Sequence, residues 1–119
     1  MLYDPGFQGG TLEVLTYRYP TPGVSKTQDV SFGGINVNRA GVYQLGAASG
    51  MGASFLDDFR TAPCNEYRSN RTGIFYSGAI TLTRLDMQAR IISGTFAFTL
   101  AQPGCDTVRV TQGRFDKKL

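Results

Sequence analysis

Apolar and polar residues alternate with a period of two over residues 90–100. Ile92, Gly94, Phe96, Phe98 and Leu100 occupy one set of alternate positions, and Ile91, Ser93, Thr95, Ala97 and Thr99 occupy the other. Alternation of this length is typical of a β-strand with one buried face. Turn sequences at 86–88 and 102–104 separate it from two further strands, at 79–85 and 107–111. The pattern therefore predicts a three-stranded antiparallel meander over residues 79–111.

The meander presents an apolar face that a single open sheet leaves uncovered. Its members are Ile80, Leu82, Ile92, Phe96, Phe98, Val108 and Val110. Strands predicted earlier in the chain, at 11–19, 30–35, 41–45 and 74–76, must pack over this face. We expect a strand or an irregular loop at 53–60 and a mobile glycine-rich loop at 46–52. The prediction is one all-β domain over residues 1–119, an antiparallel sandwich or a partly closed barrel of about seven to nine strands.

The amino-acid composition excludes several kinds of functional site and identifies none. The chain has no histidine, which removes Ser-His and Cys-His nucleophile pairs and His-ligated zinc. The net charge is only +3, and the basic residues are scattered rather than clustered, so a nucleic-acid binder is not expected. No apolar run is long enough to predict a transmembrane segment. We expect a protein that is not an enzyme and that carries no cofactor or metal.

The two cysteines, Cys64 and Cys105, allow three interpretations. They could form a disulfide, remain as free buried thiols, or act as a reactive pair. The spacing does not match a CxxC motif, and two cysteines without histidine make a poor zinc site. A disulfide between the loop before the meander and the turn at its end is the favoured interpretation.

Tyrosines supply the candidate binding surface. Tyr17 and Tyr19 share one face of the first predicted strand, and Tyr67 and Tyr76 lie in the region before the meander. Exposed tyrosines on a sheet can stack on sugars or anchor a protein partner, because they combine a large rigid area with a polar tip. The alternative is that these rings close the edge of the core.

Acidic residues offer two weaker alternatives. Asp57 and Asp58 could bind calcium with oxygens from Glu66 or Asp86, although no DxDxDG loop is present. A pair of carboxylates could also converge as in glycosidases. The favoured interpretation is that these acids are dispersed over the surface and form no metal site.

Three linked motifs in the C-terminal half resemble a family of small secreted or lipoprotein domains of unknown function from Bacteroidota. They are GAITLTRLD at 78–86, IISGTFAF at 91–98 and GCDTVRVTQGRFD at 104–116. The resemblance implies export and an all-β fold, and it implies no catalytic residue. Family members usually begin with a lipoprotein signal and a strand with an Asn-Gly turn near a tryptophan, so we expect that a native N-terminal strand or signal segment is missing here. Asp106, Thr107 and Val108 also resemble the O-glycosylation acceptor used in Bacteroidota, which makes Thr107 a candidate modified residue.

Two functions follow as hypotheses. The first is a non-catalytic binding or structural module of the cell envelope that assembles with a protein partner, or with itself, through exposed strand edges. The second is a carrier of a small ligand or glycan inside a β-barrel. Both place the protein outside the cytoplasm, in the periplasm, on the outer-membrane surface or in the medium.

Overall fold

A computed structural model describes residues 1–46 and 48–119 of the chain. The described residues form nine strands and no helix, which confirms the all-β prediction. The strands are β1 Leu2–Asp4, β2 Thr11–Arg18, β3 Gln28–Gly34, β4 Gly41–Gln44, β5 Met51–Asp57, β6 Glu66–Arg68, β7 Phe75–Asp86, β8 Ile91–Ala101 and β9 Val108–Lys118.

These strands form two antiparallel sheets. The first has five strands in the order β1-β2-β3-β5-β6, and the second has four in the order β4-β7-β8-β9. The chain leaves the first sheet after β3, contributes β4 to the second sheet, and returns for β5 and β6. The sheets are not closed into a barrel, so the sandwich interpretation is confirmed and the partly closed barrel is wrong.

The meander β7-β8-β9 has the predicted antiparallel order and the predicted buried face. Its inward side chains Ile80, Leu82, Ile92, Phe96, Phe98 and Val108 are buried, and Val110 packs against them at the edge. From the first sheet, Leu12, Val14 and Phe32 are buried against this face. The Phe32 ring lies 4.7 Å from the Phe96 ring and 5.6 Å from the Phe115 ring, measured between centroids.

The structure differs from the predicted strands where local irregularities break the alternation. A bulge in β9 places two residues, Thr111 and Gln112, opposite the single residue Ala97, and Gln112 has a φ of 56°. The pattern inverts there, which is why the prediction stopped at residue 111 while β9 continues to Lys118. A second bulge in β7 lies between Leu82 and Arg84.

Other differences concern the bounds and the number of strands, since β7 is one strand that joins the two predicted at 74–76 and 79–85. β1 and β6 have three residues each, too few to show a period, and both were missed. β5 begins at Met51, so the end of the predicted loop 46–52 belongs to a strand. Its turn is held by Ser49, whose hydroxyl donates to the carbonyl of Gln44 at 2.5 Å, while Ala47 lies outside the described residues.

Candidate binding groove

The outer face of the five-stranded sheet carries an open groove of about 750 Å³. The cross-strand registers explain it: Glu13, Gly33 and Gly52 lie in one row across β2, β3 and β5. The neighbouring row is Leu15, Ser31, Ser54 and Arg68. Small residues thus lie on the two central strands and larger residues lie on the flanking strands, which makes the surface concave.

The floor of the groove depends on glycine at two positions. A Cβ atom at Gly33 would lie 2.7 Å from the carbonyl oxygen of Leu12, and one at Gly52 would lie 2.8 Å from the hydroxyl of Ser69. Beside these glycines, the hydroxyls of Ser31 and Ser54 hydrogen-bond to each other across β3 and β5. The floor therefore presents backbone and two linked hydroxyls.

The two walls differ in character. On one side Leu2 and Leu15 are 62% and 61% exposed, and Glu13 lies on the strand of Leu15, directly opposite Leu2. On the other side the wall is polar and contains Arg68 and Asn70. A ligand lying across the strands would meet apolar surface at one end and a cation at the other.

The polar wall is ordered by an ion-pair cluster. Glu66 accepts a hydrogen bond from Nε of Arg68, and its other carboxylate oxygen lies 3.2 Å from a guanidinium nitrogen of Arg71. The hydrogen bond from Arg68 is the main cause that holds the pKa of Glu66 below its usual value, and the charges of both arginines add to it. Glu66 thus pairs with Arg68 beside the groove, at a position that is accessible to solvent.

Two of the four predicted tyrosines, Tyr17 and Tyr19, lie on the surface, and neither lines the groove itself. Tyr17 follows Leu15 on the same face of β2, and the rings of Tyr17 and Tyr19 meet edge to face with centroids 5.8 Å apart. They are 63% and 58% exposed. Asp29 lies opposite Tyr17 on β3, and its covered Oδ1 has no hydrogen-bond partner among the described residues.

Tyr67 is a correction to the predicted surface, because it is fully buried. β5 pairs with β6 so that Tyr67 faces the core opposite Phe55, with ring centroids 6.0 Å apart. Its hydroxyl donates to the carbonyl of Asp106 at 2.6 Å and accepts from Arg60 at 3.3 Å. Tyr76 is partly buried and packs against the core cluster. Neither ring joins Tyr17 and Tyr19.

Cys64 and Cys105 form the predicted disulfide, with Cα atoms 5.5 Å apart. Cys64 lies between β5 and β6, and Cys105 lies between β8 and β9, so the bond links the two sheets of the sandwich. Next to it, the Gln102 side-chain amide donates to the carbonyls of Pro63 and Glu66, each at 3.1 Å. These contacts attach the β8-β9 turn to the strand that forms the polar wall of the groove.

Asp57 is a buried structural residue and is not exposed as the sequence suggested. It is 3% exposed and accepts hydrogen bonds from the Phe59 backbone N–H at 2.9 Å and from the Gln28 side chain at 3.1 Å. Its Oδ2 also lies 3.1 Å from Nε of Arg60. Both carboxylate oxygens are therefore engaged by the protein itself.

The other acids considered for calcium are also held by protein groups. Asp58 accepts from the backbone N–H and the hydroxyl of Thr27, at 2.9 Å and 3.2 Å. Within the part of the chain that the structure describes, no three His, Cys, Asp or Glu side chains come together in a group that could hold a metal ion.

Thr107 lies in the exposed turn before β9, as does Asp106. The side chain of the candidate acceptor is therefore accessible from solvent. It is adjacent to the disulfide turn and belongs to the end of the molecule opposite the β7-β8 turn, since β8 separates the two turns.

The groove was missed by the sequence analysis because it depends on the alignment of four strands. A signal was present in the small residues that recur at alternate positions, Ser31 and Gly33 on β3 and Gly52 and Ser54 on β5. Without the register between β3 and β5, those positions could not be assigned to one face.

Comparison with known proteins relates the chain to a family, but that family has no known activity. The family model described as a domain of unknown function, DUF6252, matches residues 22–117. No curated protein and no solved structure shows significant similarity to the chain. In the described residues no helix is long and apolar enough to cross a membrane.

Proposed function

The chain belongs to this DUF6252 family, and we propose that it is a non-catalytic binding module of the cell envelope whose binding face is the groove on the five-stranded sheet. The observation that carries the proposal is the concave floor of Ser31, Gly33, Gly52 and Ser54, which form two adjacent rows between an apolar and a polar wall. Its volume of about 750 Å³ falls in the range of roughly 300–1,000 Å³ that is usual for ligand sites.

The walls favour a protein partner as the ligand. Leu2, Leu15 and Tyr17 form an exposed apolar surface beside the groove, and aromatic residues surrounded by smaller contacts are typical anchors of protein interfaces. The partner would contribute an extended segment that lies across the strands, with an acidic group near Arg68.

A glycan is the second candidate, and one observation favours it. The exposed ring of Tyr17 and the linked hydroxyls of Ser31 and Ser54 lie on the same face, so a sugar could stack on the ring while it bonds to the floor. The space between the sheets holds the packed side chains of the core, so it leaves no interior site for a carried ligand. A glycan would therefore bind on the outer face of the five-stranded sheet.

The non-catalytic part of the proposal is supported by how the acids are used. Asp57 is bonded to Phe59, Gln28 and Arg60, and Glu66 is bonded to Arg68 and Arg71. These carboxylates stabilise turns and side chains of the chain itself.

An extracytoplasmic setting is supported by the disulfide, because such bonds persist mainly in oxidising compartments. Origin among the exported or lipid-anchored domains of Bacteroidota is part of the same proposal and rests on the three C-terminal motifs. The test is the intact mass of the protein isolated from its native host under alkylation, with and without reductant. Retention of the disulfide supports export, and two alkylated thiols without reductant would contradict it.

The same mass measurement tests Thr107 as a glycosylation site. We expect added glycan mass that disappears in Thr107→Ala and remains in Thr111→Ala, since Thr111 does not follow an aspartate. An unmodified mass for the wild-type protein would exclude the modification.

The groove is tested by selecting ligands against it. Random peptides displayed on phage and an array of glycans are screened with the wild-type protein and with Ser54→Trp, whose large ring fills the groove from its floor. Thr95→Trp is the matched control, because Thr95 lies on the outer face of the other sheet. Ligands that bind the wild type and the control but not Ser54→Trp support the proposal, and their class distinguishes the two candidates. Binding that persists in Ser54→Trp would contradict it.

A further inference from the structure

The edge of the five-stranded sheet is open along most of β2. β1 pairs with β2 only as far as Glu13, which lies opposite Leu2, whereas β3 pairs with β2 as far as Arg18. Met1 continues this register beside Val14 and packs against the core, and no strand in the described ranges lies beside Leu15–Arg18 on the side away from β3.

The ladder of the neighbouring strands determines which backbone groups point outward. In an antiparallel sheet each residue directs both its N–H and its C=O to one side, and successive residues alternate. The N–H of Asp58 donates to the carbonyl of Thr27, the residue before β3, at 3.0 Å. The backbone N–H and C=O of Leu56, two residues earlier, therefore also point toward β3. Asp29 lies opposite Leu56, so its backbone groups point toward β5. The backbone groups of Val30, the next residue of β3, then point toward β2.

One further residue pair gives the direction of the backbone groups of β2. Val30 lies opposite Thr16, so Thr16 directs its backbone groups to β3. Leu15 and Tyr17, on either side of it, direct their N–H and C=O groups away from the sheet. These two residues thus offer two donors and two acceptors on the open edge.

Other edges of the sandwich are shorter or protected. β1, β4 and β6 have only three or four residues each. β9 is long, but it contains the bulge at Gln112 and the charges of Arg109, Arg114 and the Lys117–Lys118 pair, features that oppose edge pairing. The open part of β2 carries a single charge, Arg18, and its outer side chains Leu15 and Tyr17 are 61% and 63% exposed.

The geometry points to a homodimer in which the β2 strands of two copies pair antiparallel about a two-fold axis at Thr16. Leu15 of each copy lies opposite Tyr17 of the other copy, and the two pairs exchange four backbone hydrogen bonds. The two five-stranded sheets become one continuous sheet, with Leu15 and Tyr17 in contact on its outer face.

This register is the one that uses all of the open groups. A shift by one residue would place outer side chains opposite inner ones and would mismatch the hydrogen bonds. A shift toward the N-terminus needs Glu13, which already pairs with Leu2, and a shift toward the C-terminus needs Tyr19, which lies beyond β2 and precedes Pro20. In the proposed register Arg18 lies opposite Val14, where Met1 has to move aside to admit it.

The contact is small, and this sets the expected affinity. Five residues of strand from each copy cover less surface than the roughly 1,200–2,000 Å² of a standard interface. A weak, reversible dimer follows, with a dissociation constant on the order of 10–100 µM. The grooves of the two copies would lie side by side, separated by the Leu15 and Tyr17 contacts.

Sedimentation velocity of the full chain tests the dimer over concentrations from roughly 5 µM to 1 mM. We expect a concentration-dependent shift from monomer to dimer that Leu15→Lys weakens at least tenfold. Val42→Lys is the matched control, because Val42 is 62% exposed on the other sheet and should leave the dimer unchanged. A strict monomer at the highest concentration would overturn the proposal, and so would a dimer that Leu15→Lys leaves intact.

A cysteine cross-link tests the register independently. Thr16→Cys places two thiols across the two-fold axis in a non-hydrogen-bonded pair, where Cα atoms are about 4.5 Å apart and a disulfide can form. We expect rapid oxidation of Thr16→Cys to a covalent dimer and slow oxidation of Leu15→Cys, with the Cys64–Cys105 bond retained in both. Faster cross-linking of Leu15→Cys would overturn the register.

Discussion

Phe96 on β8 lies directly opposite Gly113 on β9, and its ring covers the glycine. A Cβ atom at Gly113 would lie 2.3 Å from Cε2 of that ring. The neighbouring pair has the reverse arrangement, since Phe115 of β9 lies opposite Gly94 of β8. Both rings pack against Phe32 of the other sheet, so these glycines create the space that lets the two rings fill the middle of the sandwich.

Gly113→Ala should therefore destabilise the fold by about 1–3 kcal/mol, as is typical of an overpacked core. Its φ is not in the left-handed region, so the effect is steric. Urea unfolding followed by circular dichroism measures the change. Gly6→Ala is the control, because a Cβ atom there would meet its nearest neighbour at 3.5 Å. Equal stabilities for the two variants would show that the packing of the Phe96 ring does not require glycine at position 113.

The disulfide should provide a large share of the stability. Replacing Cys64 and Cys105 with serine should lower the free energy of unfolding by about 4 kcal/mol, because the bond closes a long loop in the unfolded chain. The separation of 41 positions sets that estimate. Denaturant unfolding of the oxidised wild type and the double variant measures it. A loss below about 1 kcal/mol would mean that the loop contacts of Gln102 and Tyr67 suffice to join the sheets.

Asp57 should matter more for folding than its neighbour Asp58. Asp57→Ala removes the partner of Arg60 and leaves the Phe59 N–H and the Gln28 side chain without an acceptor, with an expected loss of about 2–3 kcal/mol. Asp58→Ala removes contacts to Thr27 only and should cost about 1 kcal/mol. Thermal unfolding compares the two variants. A larger loss for Asp58→Ala would contradict the assignment of Asp57 as the buried structural acid.

Stability should decline on the acid side because of Glu66 and Asp86. The hydrogen bond from Arg68 lowers the pKa of Glu66, and the hydrogen bond from the Ala89 N–H is the main cause that lowers the pKa of Asp86. Groups with a lowered pKa in the folded state stabilise it above their usual pKa values of 4.5 and 3.8, and that contribution is lost as the pH falls through the folded values.

Thermal unfolding between about pH 7 and pH 2 measures this loss. The double variant Glu66→Gln and Asp86→Asn should have a flatter acid limb than the wild type, and salt should reduce the difference because both carboxylates are accessible to solvent. Identical acid limbs would show that other carboxylates control the pH dependence.

The features that could be predicted from sequence are those that depend on residues close together in the chain. β8 was predicted because ten residues alternate without interruption, and its buried face followed from the same pattern. Tyr67 and Tyr17 both lie in strands and look equivalent in sequence, yet one is buried and the other exposed, because pairing with β5 turns Tyr67 toward the core. The groove required the register of β2, β3, β5 and β6, which no local pattern contains.

Mapping a selected ligand onto the chain by NMR tests the binding groove most directly. Amide chemical shifts are recorded for the wild-type protein as a peptide or glycan from the selection is titrated in. We expect the largest shifts on Ser31, Gly33, Gly52 and Ser54 and on the wall residues Leu15 and Arg68. Shifts concentrated on the outer face of the four-stranded sheet, around Thr81 and Thr95, would contradict it.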